Sequence, residues 1–307
     1  MTQNILYCFD ENYDIQALAS MISLLDKVSE PVNIYVIHKN KKTFIEKSKK
    51  IGSHPNIKSL NVYDFKNKIL NFPNISNSHV SEATYYRLFI EDVIPKSVDC
   101  LLYLDCDIIC VKDPLEMMQN NFIKLSSLNK TIGVVFEDFP QEEQDEIRDR
   151  LNIDIQQYFN AGVMFINLTR WRISDVPNKS MEIIKNMGSK LKYWDQDILN
   201  KIFNKDLYKL QSKLNFIVDI QNTLTVPQET IFIHYAGSFK PWTTRGAVEK
   251  NALMYMENFR KLGIGKFHLT HTWKLSSVFH VIKSIINLKI INTKAPFKFL
   301  ISFLRSL

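Results

Sequence analysis

The chain has 307 residues, 45% hydrophobic and 23% charged, an ordinary globular composition with room for one large α/β domain, or one domain and a smaller C-terminal piece. The net charge is +7, but it is unevenly placed: no Asp or Glu follows Glu257, whereas Arg260, Lys261, Lys266, Lys274, Lys283, Lys289, Lys294, Lys298 and Arg305 do. Four cysteines without a Cys-x-x-Cys pair, Cys8, Cys100, Cys106 and Cys110, argue against zinc or a disulfide framework and for buried free thiols in a reducing cytosol.

The N-terminus lacks a basic region and a cleavage pattern, so no signal peptide is expected. No uncharged apolar run reaches the roughly 18 residues of a transmembrane helix. The run from Asn4 to Phe9 reads as a strand, and Asp10-Glu11-Asn12-Tyr13 as the turn after it. Ile15, Leu18, Ala19, Ile22 and Leu25 fall at helical spacing, giving a helix to about Lys27. Val32 to Ile37 reads as a second strand, Lys42 to Lys50 as a charged helix closed by Gly52, and Ile57 to Tyr63 as a third strand. This alternation predicts right-handed βαβ units and a mostly parallel sheet. A loop is expected from Lys66 to Ser78, then a helix capped by Ser81 that runs through Arg87.

Leu101 to Val111 is an apolar run that carries Asp105 and Asp107 in its middle. Read as one buried strand, it points both carboxylates the same way. Buried charges need a cationic partner, and a hard divalent cation with oxygen ligands is the economical one. The bland alternative ends the strand at Leu104 and leaves two solvated turn residues. In an open α/β sheet, ligands sit beyond the carboxyl ends of strands, so Asp10, Asp105 and Asp107 are expected at one crevice. Thr131 to Phe136 reads as a further strand, ending at Glu137 and Asp138, and Gln141 to Arg150 as a helix with a solvated charged face. Asn160-Ala161-Gly162 then interrupts an apolar run. Asp195 is expected to cap a helix with Gln196 and Asp197 in its first turn. Ile231 to Tyr235 is a short strand that carries His234.

Six stretches stand in the order in which glycosyltransferase family 8 carries its motifs: Asp10-Glu-Asn-Tyr13, Tyr85-Tyr-Arg-Leu88, Leu102-Tyr-Leu-Asp-Cys-Asp107, Phe159-Asn-Ala-Gly-Val163, Asp195-Gln-Asp-Ile-Leu-Asn200, and His234-Tyr-x-Gly-x-x-Lys-Pro-Trp242. From Asn4 to Trp242 the chain resembles the bacterial members that add galactose or glucose to lipopolysaccharide cores and surface glycans. The resemblance implies a GT-A fold, a retaining transfer from a UDP-hexose (UDP-galactose or UDP-glucose), and Mn²⁺ or Mg²⁺. It implies that Asp105, Asp107 and His234 hold the metal, and that Lys240 and the Gly237 backbone clamp the diphosphate. Asp10, Asn12 and Tyr13 match the positions that hold uracil and ribose, and Arg87 matches a donor contact. Asn160, Ala161 and Gly162 resemble the sugar-binding turn, with Asp195 on donor hydroxyls and Gln196 beside the anomeric carbon. Either Glu137 or Asp138 matches the donor-site carboxylate. Cys8 and Phe9 stand where the family often carries small residues, and Cys106 is expected to point into the core.

The expected division is a GT-A catalytic domain over 1–262 and a basic amphipathic segment over 263–307. In that segment Leu275, Val278, Phe279, Ile282, Ile285 and Ile286 mix with Lys283, and Pro296 separates a second apolar and basic stretch. Two readings stand: helices packed on the catalytic domain, or a segment lying on an anionic cytoplasmic leaflet beside a lipid-linked acceptor. The second implies a cytoplasmic protein, peripheral on the inner face of the membrane, with no nucleic-acid partner. Transfer to a protein acceptor, or a catalytically silent surface-binding protein, are the alternatives.

Overall fold

The computed structural model describes residues 3–66, 72, 81–220, 225–270 and 274–305. The chain opens with β1 (Asn4–Phe9), α1 (Asp14–Leu25), β2 (Val32–His38), α2 (Lys41–Ser48) and β3 (Ile57–Asp64). After a 3-10 turn over Glu82–Phe89 come α3 (Ile90–Val93), β4 (Cys100–Leu104), β5 (Ile108–Cys110), α4 (Leu115–Ser127), β6 (Ile132–Phe136), α5 (Gln141–Leu151) and β7 (Phe159–Asn167). Then follow α6 (Leu168–Ile173), α7 (Val176–Met187), α8 (Trp194–Phe203), β8 (Leu207–Lys209), β9 (Phe216–Ile217), β10 (Phe232–His234), α9 (Leu253–Lys261), α10 (Leu275–Ile286) and α11 (Pro296–Arg305). The loop expected from Lys66 to Ser78 falls mostly outside the described residues.

Seven strands form the main sheet in the order β3-β2-β1-β4-β7-β6-β8. Pairing is parallel except along β7, which runs antiparallel to β4 and to β6. The central strands are buried on both faces and read as unbroken apolar runs, whereas the edge strand β3 is only partly buried and alternates. In β1, Ile5, Tyr7 and Phe9 enter one core and Leu6 and Cys8 the other. A second sheet, β5-β10-β9, lies on the α1 side.

The stretch from Leu101 to Val111 is therefore two strands in two sheets. β4 ends at Leu104, Asp105 to Asp107 turn, and β5 starts the small sheet. The strand end matches the bland expectation, but the carboxylates are not solvated turn residues: Asp107 is buried and Asp105 half-buried. Asp195 also differs from expectation. Tyr193 is the cap residue of α8 and Asp195 sits within its first turn, because the Asp195 carboxylate is drawn onto Thr84 and Arg87. All four cysteines are free, and Cys106 joins the core.

The segment after α9 contributes to the same core. Phe267, Val281, Ile290, Phe299 and Phe303 are buried with the residues of α1 and β1. Arg260 Nη2 donates to Thr293 O (2.5 Å), and Pro296 opens α11, the helical position where a missing N–H costs nothing. Thr270 N donates to Trp242 O (2.9 Å), and the Tyr255 hydroxyl lies 2.6 Å from His268 Nδ1. Burial pushes the His268 imidazole down to about 4.

A folded pKa below the ordinary value means that the unfolded chain binds the proton more tightly. His268 therefore supports stability fully above its unfolded value and loses that support as pH falls toward the folded one. Urea unfolding should show a loss of at most about 2 kcal/mol from this group between about pH 7 and about pH 5. The His268→Leu protein should lack that increment, whatever its stability at neutral pH.

Candidate active site

A cavity of about 470 Å³ opens at the carboxyl ends of β1 and β4, where an open α/β sheet places its ligands. One wall comes from the turn between β4 and β5, which supplies Asp105 and Asp107. The antiparallel pairing of β10 with β5 sets His234 opposite Ile108, and Tyr235 N donates to Asp107 O (3.1 Å). Two segments about 130 residues apart thus deliver an imidazole and two carboxylates to one point. Ligand atoms from Asp105, Asp107 and His234 all lie within 4.8 Å of one another.

The donors fit a divalent cation. Asp107 Oδ1 is buried, has no hydrogen-bond donor, and lies 3.3 Å from His234 Nε2. Its other oxygen meets Lys240 Nζ, which also donates to Tyr235 O (2.6 Å). Burial alone would raise the Asp107 carboxyl, but Lys240 and His234 hold it well below the usual range. An imidazole among the ligands sets this group apart from the all-oxygen shell that calcium takes.

Arg87 ties this wall to the next. Its guanidinium is 5% exposed and stacks over Tyr103 at 4.7 Å. Nη1 donates to Asp105 Oδ1 (3.0 Å) and to Ala161 O (2.8 Å), and Nε lies 2.5 Å from Asp195 Oδ2. Tyr103 donates to the same Asp105 oxygen at 2.5 Å. Burial pushes the Asp195 carboxyl up to about 6, against the opposing pull of Arg87 and Thr84. Arg87, expected as a donor contact, lines the cavity with most of its hydrogen bonds directed to protein.

The Asn160-Ala161-Gly162 turn is a bulge in β7. Val134 of β6 pairs with Met164 and Val135 with Asn160, so the intervening residues leave the ladder. Their peptide groups hold the site together. Gly162 O accepts from Asp105 N (2.8 Å), and Ala161 N donates to Gln196 Oε1 (3.1 Å). A Cβ on Gly162 would lie 2.3 Å from His234 Cε1, so only glycine lets the ring approach.

Gln196 Nε2 donates to Glu137 Oε2 (3.1 Å) and Tyr158 Oη (3.3 Å). Glu137, raised by burial against the pull of His234, lines the cavity, and Asp138 does not. Asp197 is withdrawn from the cavity. It is fully buried and takes Tyr158 Oη (2.9 Å), Arg150 Nη1 (2.5 Å) and the peptide nitrogens of Lys192 and Tyr193 (2.8 and 3.0 Å). The charged helix α5 is thus not only a solvated face, because Arg150 anchors it to a buried carboxylate.

Of the expected site residues, Tyr13, Arg87, Asp105, Asp107, Asn160, Asp195, Gln196, His234, Gly237 and Lys240 line the cavity. Gly237 does so with φ +79°, a conformation that favours glycine. Asp10, Asn12, Ala161 and Gly162 stand behind the lining; the Asp10 carboxylate accepts from Asn12 N (3.0 Å) and caps the turn that presents Tyr13. Sequence reasoning missed Thr84, Tyr103, Tyr158 and Asn215. Tyr103 lies within the Leu102–Asp107 motif, Thr84 directly before Tyr85–Leu88 and Tyr158 directly before Phe159–Val163, whereas Asn215 lies in none.

The model of the family described as "Glycosyl transferase family 8" matches residues 4–246. A lipopolysaccharide 1,2-glucosyltransferase of Escherichia coli is 30% identical over 260 residues, covering 78% of this chain and 73% of that protein. A lipopolysaccharide 1,3-galactosyltransferase of Salmonella typhimurium is 30% identical over 186 residues, covering 56% and 52%. The structure of galactosyltransferase LgtC, solved with donor and acceptor sugar analogues, superposes with a TM-score of 0.70 at 22% identity, covering 91% of this chain and 100% of that one. The expected GT-A architecture holds. The chain belongs to glycosyl transferase family 8 and is a glycosyltransferase.

Proposed function

We propose that the protein transfers galactose or glucose from a UDP-sugar to a saccharide of lipopolysaccharide or another surface glycan, with retention of configuration. The observation that carries this reading is the meeting of Asp105, Asp107 and His234 in the cavity at the strand ends, beside Lys240. Those three residues would hold Mn²⁺ or Mg²⁺, which supplies positive charge to a diphosphate leaving group. Lys240 and the peptide of Gly237 would take the diphosphate, and Tyr13 offers an aromatic face for uracil. Names borne by the two relatives above support the hexose and the acceptor class.

Gln196 is the residue nearest in role to a nucleophile, and its chemistry argues against a covalent route. Its Nε2 is engaged by Glu137 and Tyr158, so Oε1 faces Ala161 N with a lone pair to spare. A neutral amide oxygen stabilises developing positive charge but attacks poorly. Same-face displacement follows, with the departing phosphate accepting the acceptor's proton. Asp195, fixed by Arg87 and Thr84, would orient the sugar.

The tail supports membrane contact. Ten of the fifteen large apolar residues exposed among the described ones follow Lys274, including Phe279, Ile286 and Phe297. Exposed apolar surface on this scale marks an interaction site. Lys261, Lys289 and Lys294 pair with Asp26, Glu249 and Glu257, so the cationic surface is smaller than the sequence implies. Each remaining cation near an anionic leaflet contributes on the order of 1 kcal/mol. The inner face of α10 and α11 belongs to the core, so packing accounts for that face and membrane contact is proposed for the exposed one alone.

Asp105→Asn or Asp107→Asn should lower UDP release from UDP-hexose on the order of 100-fold or more at limiting Mn²⁺, with the fold retained. His234→Ala should lose less and recover in part with added metal. Near-native turnover in either Asp variant removes the metal assignment. For the mechanism, mass spectrometry of the enzyme quenched during turnover should find no sugar adduct; a trapped adduct on Glu137 or Gln196 reverses the conclusion. For the membrane, Phe279→Ser combined with Phe297→Ser should weaken sedimentation with anionic liposomes at low salt and leave donor hydrolysis unchanged. Substitution is the proper test, because truncation near Gly263 would strip Phe267, Phe299 and Phe303 from the core.

A further inference from the structure

Asn215 touches no cavity and belongs to none of the six motifs, yet its amide occupies a position that fixes the chemistry of His234. It is 3% exposed and follows the 3-10 turn Ser212–Leu214. Asparagine oxygens and nitrogens, and histidine tautomers, are usually ambiguous. Here a backbone group removes the ambiguity. Gly162 N, a peptide donor that cannot reverse, meets Asn160 Oδ1 at 3.0 Å. The Asn160 atom is therefore a carbonyl oxygen. Asn215 Nδ2 donates to that same oxygen at 2.9 Å, which turns Asn215 Oδ1 toward His234. That oxygen lies 3.0 Å from His234 Nδ1, and an oxygen without a proton can only accept. His234 Nδ1 must therefore carry the hydrogen.

The consequence lies on the other side of the ring. Nε2 faces Asp107 Oδ1 at 3.3 Å, and that buried oxygen has no hydrogen-bond donor. With Nδ1 as the donor, a neutral His234 turns its Nε2 lone pair toward that oxygen, and Lys240 meets only the other carboxylate oxygen, so the gap between Nε2 and Oδ1 suits a cation. We infer that Asn215 is a positioning residue that holds His234 in the Nδ1–H tautomer, so that the Nε2 lone pair is presented to a divalent cation bound by Asp105 and Asp107. The inference rests on the metal reading given above. An outer partner that orients a ligating histidine through its second nitrogen is typically worth 10–100-fold in metal affinity. Gly162 acts twice: its N–H starts the relay, and its missing side chain leaves room for the ring.

The test uses the full-length protein and two readouts other than turnover. Long-range ¹H–¹⁵N correlation of ¹⁵N-histidine protein, without metal and at mildly alkaline pH, reports the tautomer of His234. Free Mn²⁺ counted by electron paramagnetic resonance reports affinity in the absence of donor. The wild-type protein should show the Nδ1–H form. Asn215→Leu should populate the Nε2–H form and lose about 10–100-fold in Mn²⁺ affinity. Asn215→Asp keeps an acceptor for Nδ1–H and should retain the tautomer and bind Mn²⁺ within a few-fold of wild type. Its new oxygen faces Asn160 Oδ1, and that cost appears separately in the unfolding temperature. An Nε2–H tautomer in the wild type, or wild-type Mn²⁺ affinity in Asn215→Leu, overturns the inference. Should Asn215→Leu not fold, the wild-type spectrum and Asn215→Asp decide. Absence of Mn²⁺ binding by the wild type sinks the metal reading instead, and the tautomer, measured without metal, then decides the role of Asn215 alone.

Discussion

Burying Asp105, Asp107 and Asp195 around one cavity imposes the condition on which the site depends, because an unpaired buried charge costs about 3–5 kcal/mol. Arg87 answers for two of them, lying between Asp105 and Asp195. Lys240 answers for the third. The cations come from distant places in the chain: Arg87 from the 3-10 turn before α3, Lys240 from the loop after β10. The carboxylates therefore bring together segments that the sheet alone would leave near one another but unregistered. The Tyr103 ring lies under the Arg87 guanidinium, and low local polarity strengthens each of these pairs.

The site also depends on an irregularity in the sheet. Asn160 still pairs with Val135 of β6, but a regular β7 would also keep Ala161 and Gly162 in register with that strand. The bulge frees their peptide groups, which bond instead to Gln196, Arg87 and Asp105. This segment thus contacts the Gln196 carboxamide, the guanidinium that joins the walls, and the peptide nitrogen of Asp105. Backbone groups serve this purpose well, since they hold position without rotamer entropy.

The sheet was legible because its central strands are buried on both faces and separated by helices with clear periodicity; β1, β2 and β3 fall within a residue of their expected bounds. Most of the cavity-lining residues were legible too, because six motifs stand in order. Three things were not. The run from Leu101 to Val111 is continuous in hydrophobicity, and periodicity cannot register a strand that changes sheets at a turn. Asp195 carries the composition of a helix cap, but the pull of Arg87, some hundred residues away, overrides that local preference. Asn215 has no motif at all, and its importance comes from which atoms of Asn160 and His234 face it, a matter of tertiary contact alone.

The division between a catalytic domain and a basic tail describes the charge of the sequence better than its packing. Trp242 closes the loop that bears Lys240, and it meets Tyr13 edge-on at 6.4 Å and Tyr255 at 4.8 Å. His268 stacks beside the same indole at 6.2 Å. Tyr13, the loop that bears Lys240, and the start of the C-terminal segment are thus neighbours in one aromatic cluster. A surface that seats the outer faces of α10 and α11 would also bear on this cluster, because their inner faces share its core. Trp242 and the buried residues of α10 and α11 thus belong to one core.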